Sequence, residues 1–531
     1  MTLINASTSP DPRCKSVEGD YVLKRYTPTV SDIASDPARL LDREFEIQMR
    51  ELDAMSLPPG VPVEGKGPEI DAGIDVEWVH DAVNKVNIIL SVQFHLIGEC
   101  GEFTYIHYTT GTEKIDRPEF AKLLSKVILL AMEAGVVLEW PKKVNVCAFF
   151  LRADLTGFRD LAKFKNKLRS VAGAVGTRMG IPFDVEFDDE DIERLTRLRR
   201  FIIHNDERAY VLNVTMIDLV KHVPVGYTLN DIGKLLGQEK VKLKPGNIER
   251  MDLLLRDDPE LYAKYALQDS LIAVYYLNRL RKSVTALLGR ESLPLTCSGV
   301  AVALFKKTLR EQNLDMRVVF GTEPKHQLVW NERTERINTV PEEVPTMMRE
   351  LHAPFIAKTA HGGRGECMYV GPTEVGGFHD IDVRAAYPTA LSGIGLVDMN
   401  KPYVTLNPED FRGNVAGFAL VEFSHPEDVR YPVFAVKSGG DNLLFTRTGK
   451  SFCTAPEIEV ALNLKCEVRI IHGVIYPWLD ENIRPFESFV HAIREGNTAN
   501  LSLTLCRPCS DEVLHGGSVL LISDLVGACE N

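Results

Sequence analysis

Two carboxylates lie two residues apart inside the apolar segment GIDVEWV, at Asp75 and Glu77. Alternate residues of a β-strand face the same side, so both side chains could reach one pair of metal ions. A charge in apolar surroundings is costly unless it is paired or bound to metal, which makes this pair a candidate metal site. The same spacing recurs elsewhere, at Asp42/Glu44, Asp184/Glu186, Asp188/Glu190 and Asp191/Glu193. We expect the acids at 184–193, in a hydrophilic run, to lie on the surface.

Three more polar residues accompany predicted apolar elements. Asp154 follows VNVCAFFL (144–151), a predicted buried strand, and α/β proteins place ligands at the C-terminal ends of strands. An alternative that stays open is that Asp154 caps a helix over the following LTGFRDLAKF. Tyr265 and Asp269 lie four residues apart on a predicted helix and therefore share one face, which is otherwise apolar.

Hydrophobic periodicity indicates the elements that would position these residues. GIDVEWV (73–79) and NIILSVQFHLIG (87–98) predict the two strands of a hairpin. A helix is predicted from Asp258 to about Ser283. Asp258 is a good N-cap, Pro259 suits a first turn, and apolar residues recur every three to four positions.

The second half of the chain mixes element types. Charged helices are predicted over 285–350. Strand-like segments follow, at ECMYVGP (366–372), GFHDIDV (377–383), GFALVEFS (417–424), YPVFAVK (431–437) and EVRIIHGVIY (467–476). Strands mixed with helices in this way indicate an α/β or α+β class.

Composition and charge limit the classes of function. A chain of 531 residues suits about three or four domains, and 45% hydrophobic with 25% charged residues is ordinary for a globular protein. We find no apolar segment of about 18 residues and no secretory signal, so we expect a cytoplasmic protein with no membrane partner. The net charge of −13 argues against an extensive basic surface. Nucleic-acid enzymes remain open, because their metal sites are built from carboxylates and phosphate contacts need only local basic tracks.

Two local features have simple alternatives. The basic segments KFKNKLR (163–169) and RLTRLRR (194–200) are candidate phosphate contacts, although a solvated helix face is the simpler interpretation of each. The ten cysteines are scattered, which suits a reducing compartment. Cys506 and Cys509 form a Cys-x-x-Cys pair without the four ligands that a structural zinc ion needs.

The order of the carboxylate motifs resembles that of a known family. Asp-x-Glu, a later Asp and Tyr-x-x-x-Asp follow one another as in the proofreading 3′–5′ exonuclease domain of family B DNA polymerases, which has an RNase H-like fold. The segments 216–237 and 262–277 also resemble the later half of that domain. One departure is Phe150, where an asparagine usually stands four residues before the second-motif aspartate. The resemblance implies a catalytic, metal-binding set of Asp75, Glu77, Asp154 and Asp269.

By this resemblance the four carboxylates hold two ions, one generating hydroxide and one stabilising the leaving 3′-oxygen. Mg²⁺ or Mn²⁺ suits a site made only of oxygen ligands. Tyr265 is implied to be a catalytic residue that orients the attacking water. The implied substrate is the 3′ end of single-stranded DNA.

A second resemblance begins at FHDIDVRAAYPTAL (378–391). It is similar to motif A of family B polymerases, in which an aspartate on a palm strand is followed by Tyr-Pro. The resemblance implies that Asp382 is a catalytic metal ligand and that Tyr387 binds the nucleotide, its ring blocking a 2′-hydroxyl. Ala385 and Ala386 replace the usual Ser-Leu. Taken alone, the segment is also consistent with a buried strand ending in a Tyr-Pro turn.

Upstream, AHGGRGE (360–366) resembles the Tyr-x-Gly-Gly loop that contacts the template strand in this family, with Ala360 at the tyrosine position. Gly362 and Gly363 would let backbone amides approach a phosphate, and Arg364 adds a positive charge. The implied partners are primer–template DNA and, in the full-length relative, dNTP.

The loose motif versions most resemble the protein-primed and primer-independent branch, found in phages, linear plasmids and integrated mobile elements. Whether a terminal protein is a partner stays open. The resemblance implies an N-terminal extension and linker (1–65), an RNase H-like exonuclease domain (66–285), a helical connector (286–350), an incomplete palm with motif A (351–490) and an atypical tail (491–531).

Two polymerase motifs of the family find no match after residue 490. One is the fingers-helix Lys-x-x-x-Asn-Ser-x-Tyr-Gly, and the other is the palm Asp-Thr-Asp. We therefore expect a polymerase by lineage, truncated before the fingers and at most exonucleolytic. A stand-alone 3′–5′ exonuclease and a non-enzymatic DNA-binding remnant are the alternative interpretations.

We predict that the purified chain does not extend a primed template with dNTPs and Mg²⁺. Asp382 alone cannot hold both ions for in-line phosphoryl transfer. Gel analysis of a 5′-labelled primer checks this, and a primer lengthened beyond the no-enzyme control would contradict it.

Overall fold

The computed structural model describes the following ranges: 37–55, 63–81, 85–109, 111–171, 173–177, 180–185, 187–198, 210–223, 226–244, 246–291, 293–331, 336–362, 364–365, 371–372, 376, 386–438 and 442–498. The chain divides into two compact units, Met1–Lys282 and Ser283–Asn531. Strands and helices are mixed in both, which confirms the predicted α/β class. Within the described ranges, no helix is long and apolar enough to cross a membrane.

The strands of the first unit are β1 (Val63–Glu64), β2 (Ile70–Asp81), β3 (Val86–Gly98), β4 (Gly101–Tyr108), β5 (Val144–Ala148), β6 (Arg169–Val171), β7 (Ala174–Gly176), β8 (Ile181–Val185) and β9 (Tyr210–Asp218). The main sheet has the spatial order β1-β9-β5-β2-β3-β4, with β8 paired to β9. β2, β3 and β4 form an antiparallel meander, whereas β5 runs parallel to both β2 and β9. β2 is therefore the strand at which the two parts of the sheet meet.

The helices of the first unit are α1 (Pro37–Met55), α2 (Phe120–Glu133), α3 (Leu151–Asp154), α4 (Leu161–Phe164), α5 (Asp189–Arg197), α6 (Leu229–Leu236), α7 (Met251–Asp257) and α8 (Pro259–Leu288). α2 is apolar along most of its length and packs into the core cluster formed with the sheet. The start of α8 is confirmed, because the backbone N–H of Leu261 donates to the Asp258 carboxylate at 3.0 Å. The helix continues to Leu288, past its predicted end at Ser283.

The strand predictions near the carboxylates have mixed outcomes. The hairpin is confirmed, since β2 contains GIDVEWV and pairs antiparallel with β3. The predicted strand over 144–151 is wrong at its C-terminal end, because β5 stops at Ala148. Phe150 adopts the left-handed backbone conformation, with φ 81°, and α3 begins at the next residue. The Asp218 carboxylate accepts a hydrogen bond from the Phe150 N–H at 3.2 Å, a long-range contact that no local pattern reveals.

The strands of the second unit are β10 (Thr322–Asn331), β11 (Arg336–Pro345), β12 (Leu396–Val397), β13 (Tyr403–Val404), β14 (Ala416–Ser424), β15 (Val436–Ser438), β16 (Asn442–Leu444), β17 (Thr448–Thr454), β18 (Glu467–Tyr476) and β19 (Trp478–Asp480). Its helices are α9 (Cys297–Glu311), α10 (Met316–Phe320), α11 (Met347–Thr359), α12 (Ala386–Ser392), α13 (Ala455–Asn463) and α14 (Glu487–Thr498). The main sheet has the order β13-β18-β14-β17, and α13 packs against it.

Predictions for the second unit are confirmed in part. β14 and β18 lie where GFALVEFS and EVRIIHGVIY predict them, whereas only the end of YPVFAVK joins β15. The predicted helical connector also contains the antiparallel hairpin of β10 and β11, which Pro324 and Pro341 concealed because proline is unusual inside strands. GFHDIDV and nearly all of ECMYVGP lie outside the described residues.

Gly73 allows α8 to approach the centre of the sheet. A Cβ atom built at Gly73 would lie 2.0 Å from the backbone carbonyl oxygen of Ser270. Ser270 directly follows Asp269 on α8, and Gly73 lies two residues before Asp75 on β2. A side chain at position 73 would therefore push the helix that carries Asp269 away from the strand that carries Asp75.

We predict that Gly73→Ala lowers the free energy of unfolding by roughly 1–3 kcal/mol, because the added methyl group overlaps backbone atoms. Denaturant titration followed by circular dichroism measures the change. Gly180→Ala is the matched control, since a Cβ atom there would lie no closer than 3.8 Å to atoms of Asn213, Val214 and Thr215. Equal stability of the two variants would contradict the predicted clash.

Candidate metal centre

Three carboxylates converge where α8 crosses β2. One side-chain oxygen each of Asp75, Glu77 and Asp269 lies within 4.8 Å of the others. Asp75 and Glu77 project from one face of β2 as alternate residues, and Asp269 comes from α8. Asp269 is buried. Asp75 and Glu77 keep part of their residue surface exposed, but their carboxyl groups are surrounded by protein.

Asp154 lies beside this group. It ends α3, just beyond the C-terminal end of β5. Its carboxylate accepts a hydrogen bond from the backbone N–H of Val76, the residue between Asp75 and Glu77. Its charge raises the pKa of Asp75, and the charges of Glu77 and Asp269 raise the pKa of Asp154. The side chain makes no helix-capping hydrogen bond, so the capping interpretation is wrong.

The available oxygens suit a divalent cation. Asp154 Oδ2 and Asp269 Oδ1 are buried and have no hydrogen-bond partner among the described residues. Buried polar atoms in proteins normally have a partner. Ionised carboxylates only accept, so a hard cation such as Mg²⁺ or Mn²⁺ is the partner that this set of oxygens fits.

Burial and the neighbouring negative charges raise the pKa values of these carboxyl groups. Burial, then the charges of Glu77 and Asp269, raise the pKa of Asp75 well above its ordinary value. Burial, then the charge of Asp269, raise the pKa of Glu77 to about 8. Burial, then the charge of Asp218, raise the pKa of Asp154. Without a bound cation, Glu77 therefore keeps its proton at neutral pH.

Lys240 is a cation in the site that the sequence analysis did not single out. Its Nζ atom donates to Asp269 Oδ2 at 2.6 Å and lies 5.2 Å from the centre of the Tyr265 ring. Burial alone would lower the pKa of Lys240, but the Asp269 carboxylate raises it above its ordinary value. The residue is one of three lysines in EKVKLK (239–244), between α6 and α7, so no local pattern distinguished it.

Asp218, at the end of β9, was also missed. Its buried carboxylate accepts hydrogen bonds from the backbone N–H groups of Phe150 and Val220 at 3.2 Å and of Val175 at 3.3 Å. These contacts fix the turn between β5 and α3, and hence the position of Asp154. Asp218 also ends an apolar strand, so the criterion applied to Asp154 could have found it.

Known proteins resemble the chain over most of its length. The primer-independent DNA polymerase PolB of Escherichia coli is 32% identical over 468 residues, covering 85% of this chain and 53% of that protein. This chain is related to the family B DNA polymerases. It spans about half the length of that relative. The predicted resemblance to family B DNA polymerases is thereby confirmed.

Two further comparisons provide less evidence of relationship. No protein-family model matches the chain. A solved structure of Phi29 DNA polymerase complexed with primer-template DNA is similar over 86% of this chain and 66% of that one, at 12% identity and a TM-score of 0.43.

Only some of the residues expected from the family B polymerase motifs lie within the described ranges. Asp382 and Gly363 lie outside the described residues, as do Cys506 and Cys509. Tyr387 lies in α12 with 42% of its surface exposed. A Cβ atom at Gly362 would meet no atom of the described residues within 4 Å.

Arg364 has partners that the motif does not suggest. Its guanidinium lies 4.3 Å from the ring centre of Phe445 and 5.8 Å from that of Tyr431. It also donates to the carbonyl oxygen of Pro432 at 2.8 Å. The aromatic rings hold the guanidinium in this position. A contact between Arg364 and a phosphate therefore stays a prediction.

The other acidic pairs do not join the group of Asp75 and Glu77. Asp184, Asp188, Glu190 and Glu193 are exposed, as expected, and Glu186 lies outside the described residues. The expectation is wrong for Asp191, which is buried. Its backbone N–H donates to Asp188 Oδ1 at 3.0 Å, so it lies within the first turn of α5 rather than on the surface.

We predict that Glu77→Gln raises the melting temperature of the metal-free protein at pH 8 and changes it much less at pH 5. Folding raises the pKa of Glu77 from 4.5 to about 8, so the unfolded chain loses a proton that the folded protein keeps. Stability therefore falls as pH rises between these values, and glutamine removes that loss.

Differential scanning fluorimetry in EDTA at both pH values checks this prediction. Glu190→Gln is the control, because Glu190 is exposed and paired with Arg194. A melting temperature of Glu77→Gln at or below that of the wild type at pH 8 would contradict the prediction.

Proposed function

We propose that residues 66–285, nearly all of them within the first unit, form the two-metal 3′–5′ exonuclease domain of a family B polymerase. The convergence of Asp75, Glu77 and Asp269 carries the proposal. These residues belong to the first and third motifs, which lie far apart in sequence, and Asp154 of the second motif lies beside them.

The topology of the sheet supports an RNase H-like fold. The antiparallel meander β2–β3–β4 comes first, and β5 and β9 then add in parallel on the other side of β2. The strand at the junction carries two of the carboxylates, and the turn after β5 leads to Asp154. Polar residues at the ends of neighbouring parallel strands are where α/β proteins bind ligands.

The carboxylates of Asp75, Glu77 and Asp269, with Asp154 at their edge, would hold the cations. Two divalent ions, when bound, would generate the attacking hydroxide and stabilise the leaving 3′-oxygen of the phosphodiester. Because the pKa values of Asp75 and Glu77 are raised, these residues would release protons as they become ligands. Residues on one strand keep a fixed separation, so the ligands are positioned before the DNA end arrives.

We propose that Tyr265 orients the attacking water and that Lys240 offsets the negative charge of Asp269. Tyr265 lies four residues before Asp269 on α8, so the two share one face of the helix. Burial raises the pKa of Tyr265, so the phenol stays protonated and can donate a hydrogen bond to the water. Lys240 offsets the charge of Asp269 and holds that side chain in place.

The proposed substrate is a single-stranded DNA 3′ end, with primer–template DNA as the wider partner. Primer-independent synthesis, the activity named for PolB, is a proposal for a longer protein that would contain this chain. In such a protein we propose Asp382 as a palm metal ligand and Tyr387 as the nucleotide-binding residue, within a palm region at 351–490. Gly362 and Gly363 would face the template strand, and dNTP would be the second substrate.

We predict that the chain shortens a 5′-labelled single-stranded oligonucleotide from its 3′ end in the presence of Mg²⁺. Asp75→Ala/Glu77→Ala should reduce the rate by at least about 100-fold, because it removes two ligands of the metal pair. Denaturing gels with time points measure the rate.

The matched control is Asp188→Ala/Glu190→Ala, an exposed pair with the same spacing, which should keep the wild-type rate. Equal activity of the wild type and Asp75→Ala/Glu77→Ala would exclude this site as the source of cleavage. Binding of the oligonucleotide without cleavage by any variant would favour a DNA-binding protein without enzymatic activity.

A further inference from the structure

Three buried polar side chains lie next to the carboxylate pair and have no part in the proposed chemistry. They are Ser91 and Gln93 on β3 and Tyr262 on α8, which we call the polar row. None of the three has any exposed surface. Burial of a neutral polar group is costly unless it is hydrogen-bonded, so a polar row in a hydrophobic core requires an explanation.

The pairing of β2 with β3 aligns the polar row with the metal ligands. Ser91 is paired directly with Glu77, and Gln93 directly with Asp75. Residues opposite each other in an antiparallel pair share a face, with Cβ atoms about 4.5–5.5 Å apart. The register shifts immediately afterwards, where Trp78 pairs with Ile89 and leaves Leu90 without a partner on β2. This bulge lies at the edge of the site, a place where bulges commonly direct side chains.

The hydrogen bonds within the polar row leave one hydroxyl proton available. Gln93 Nε2 donates to Ser91 Oγ at 2.6 Å, and Ser91 Oγ shares a further hydrogen bond with the Tyr262 hydroxyl. That bond uses the proton of one hydroxyl, whichever of the two donates. The second hydroxyl keeps a proton to donate, and Glu77 is the cross-strand neighbour of Ser91.

The pKa of Tyr262 is consistent with its place beside the two carboxylates. Burial raises the pKa of Tyr262 well above its ordinary value, and the charges of Glu77 and Asp75 add to this. The phenol therefore lies within the field of both carboxylates and remains protonated, as a hydrogen-bond donor.

We propose that Ser91, Gln93 and Tyr262 are positioning residues that orient the carboxylates of Asp75 and Glu77 for a divalent cation. The inference rests on the proposed metal site. Polar groups that hold metal ligands in this way typically change metal affinity by about 10- to 100-fold when removed. Because the polar row is neutral, it can orient the two carboxylates without competing with the cation for their charge.

Two substitutions test the proposal by removing one hydroxyl each, Ser91→Ala and Tyr262→Phe. Isothermal titration calorimetry of Mn²⁺ into the metal-free protein should show a Kd about tenfold or more above the wild-type value for both. The rise in melting temperature that saturating Mn²⁺ produces should shrink in parallel. Ser91→Thr, which keeps the hydroxyl, should bind Mn²⁺ nearly as well as the wild type.

Ser125→Ala is the matched control. Ser125 is also buried, but its hydroxyl donates to the carbonyl oxygen of Ala121 within α2. It should leave the Mn²⁺ affinity unchanged even if it lowers the melting temperature. Tyr262→Phe keeps the ring and its packing, so it decides the question if Ser91→Ala does not fold.

The outcomes distinguish a failure of the positioning role from a failure of the metal site. Unchanged Mn²⁺ affinity in a folded Tyr262→Phe or Ser91→Ala would overturn the positioning role and leave the polar row as a purely structural feature. Failure of the wild type to bind Mn²⁺, or equal binding by Asp75→Asn/Glu77→Gln, would instead overturn the metal site on which the inference rests.

Discussion

Repulsion between carboxylates is the constraint on which the first unit depends. Two unit charges about 4 Å apart repel each other by roughly 4 kcal/mol at an effective dielectric constant of about 20. Asp75, Glu77 and Asp269 are held at this range by elements that cannot separate without disrupting the core, a central strand and the helix that crosses it. Gly73 makes the close crossing possible, and Lys240 offsets part of the charge. The fold thus maintains a cluster of acids that would disperse in a less rigid structure.

The elements around the site divide this task between them. The meander fixes two of the carboxylates by register, and α2 packs the sheet into an apolar core that includes Phe94, Phe103 and Phe120. Asp218 fixes the turn that leads to Asp154, using backbone N–H groups rather than a cation. These hydrogen bonds hold the turn that leads to Asp154, whereas Lys240 holds Asp269 through its positive charge. Rigid surroundings of this kind are what a preorganised metal site requires.

Hydrophobic periodicity and helix-capping residues predicted those elements that the local sequence determines. The β2–β3 hairpin follows from alternation, and the start of α8 from its cap at Asp258. Lys240 could not be found in the same way, because only the tertiary fold brings that loop to Asp269. The end of β5 was misplaced for a similar reason, since Asp218, distant in sequence, sets the backbone of Phe150. The carboxylates themselves were recognised through family spacing, whereas Asp382 of motif A lies outside the described residues.

The bulge at Leu90 also shows how the hairpin accommodates one extra residue on β3. In a regular hairpin, one inserted residue would turn every following side chain to the opposite face. Here the unpaired residue separates the pairing near the turn from the pairing that contains Asp75 and Glu77. The one extra residue of β3 is therefore absorbed at Leu90, and both carboxylates keep their orientation. Strands of unequal length are thus compatible with a fixed arrangement of Asp75 and Glu77, and the bulge is the feature that permits it.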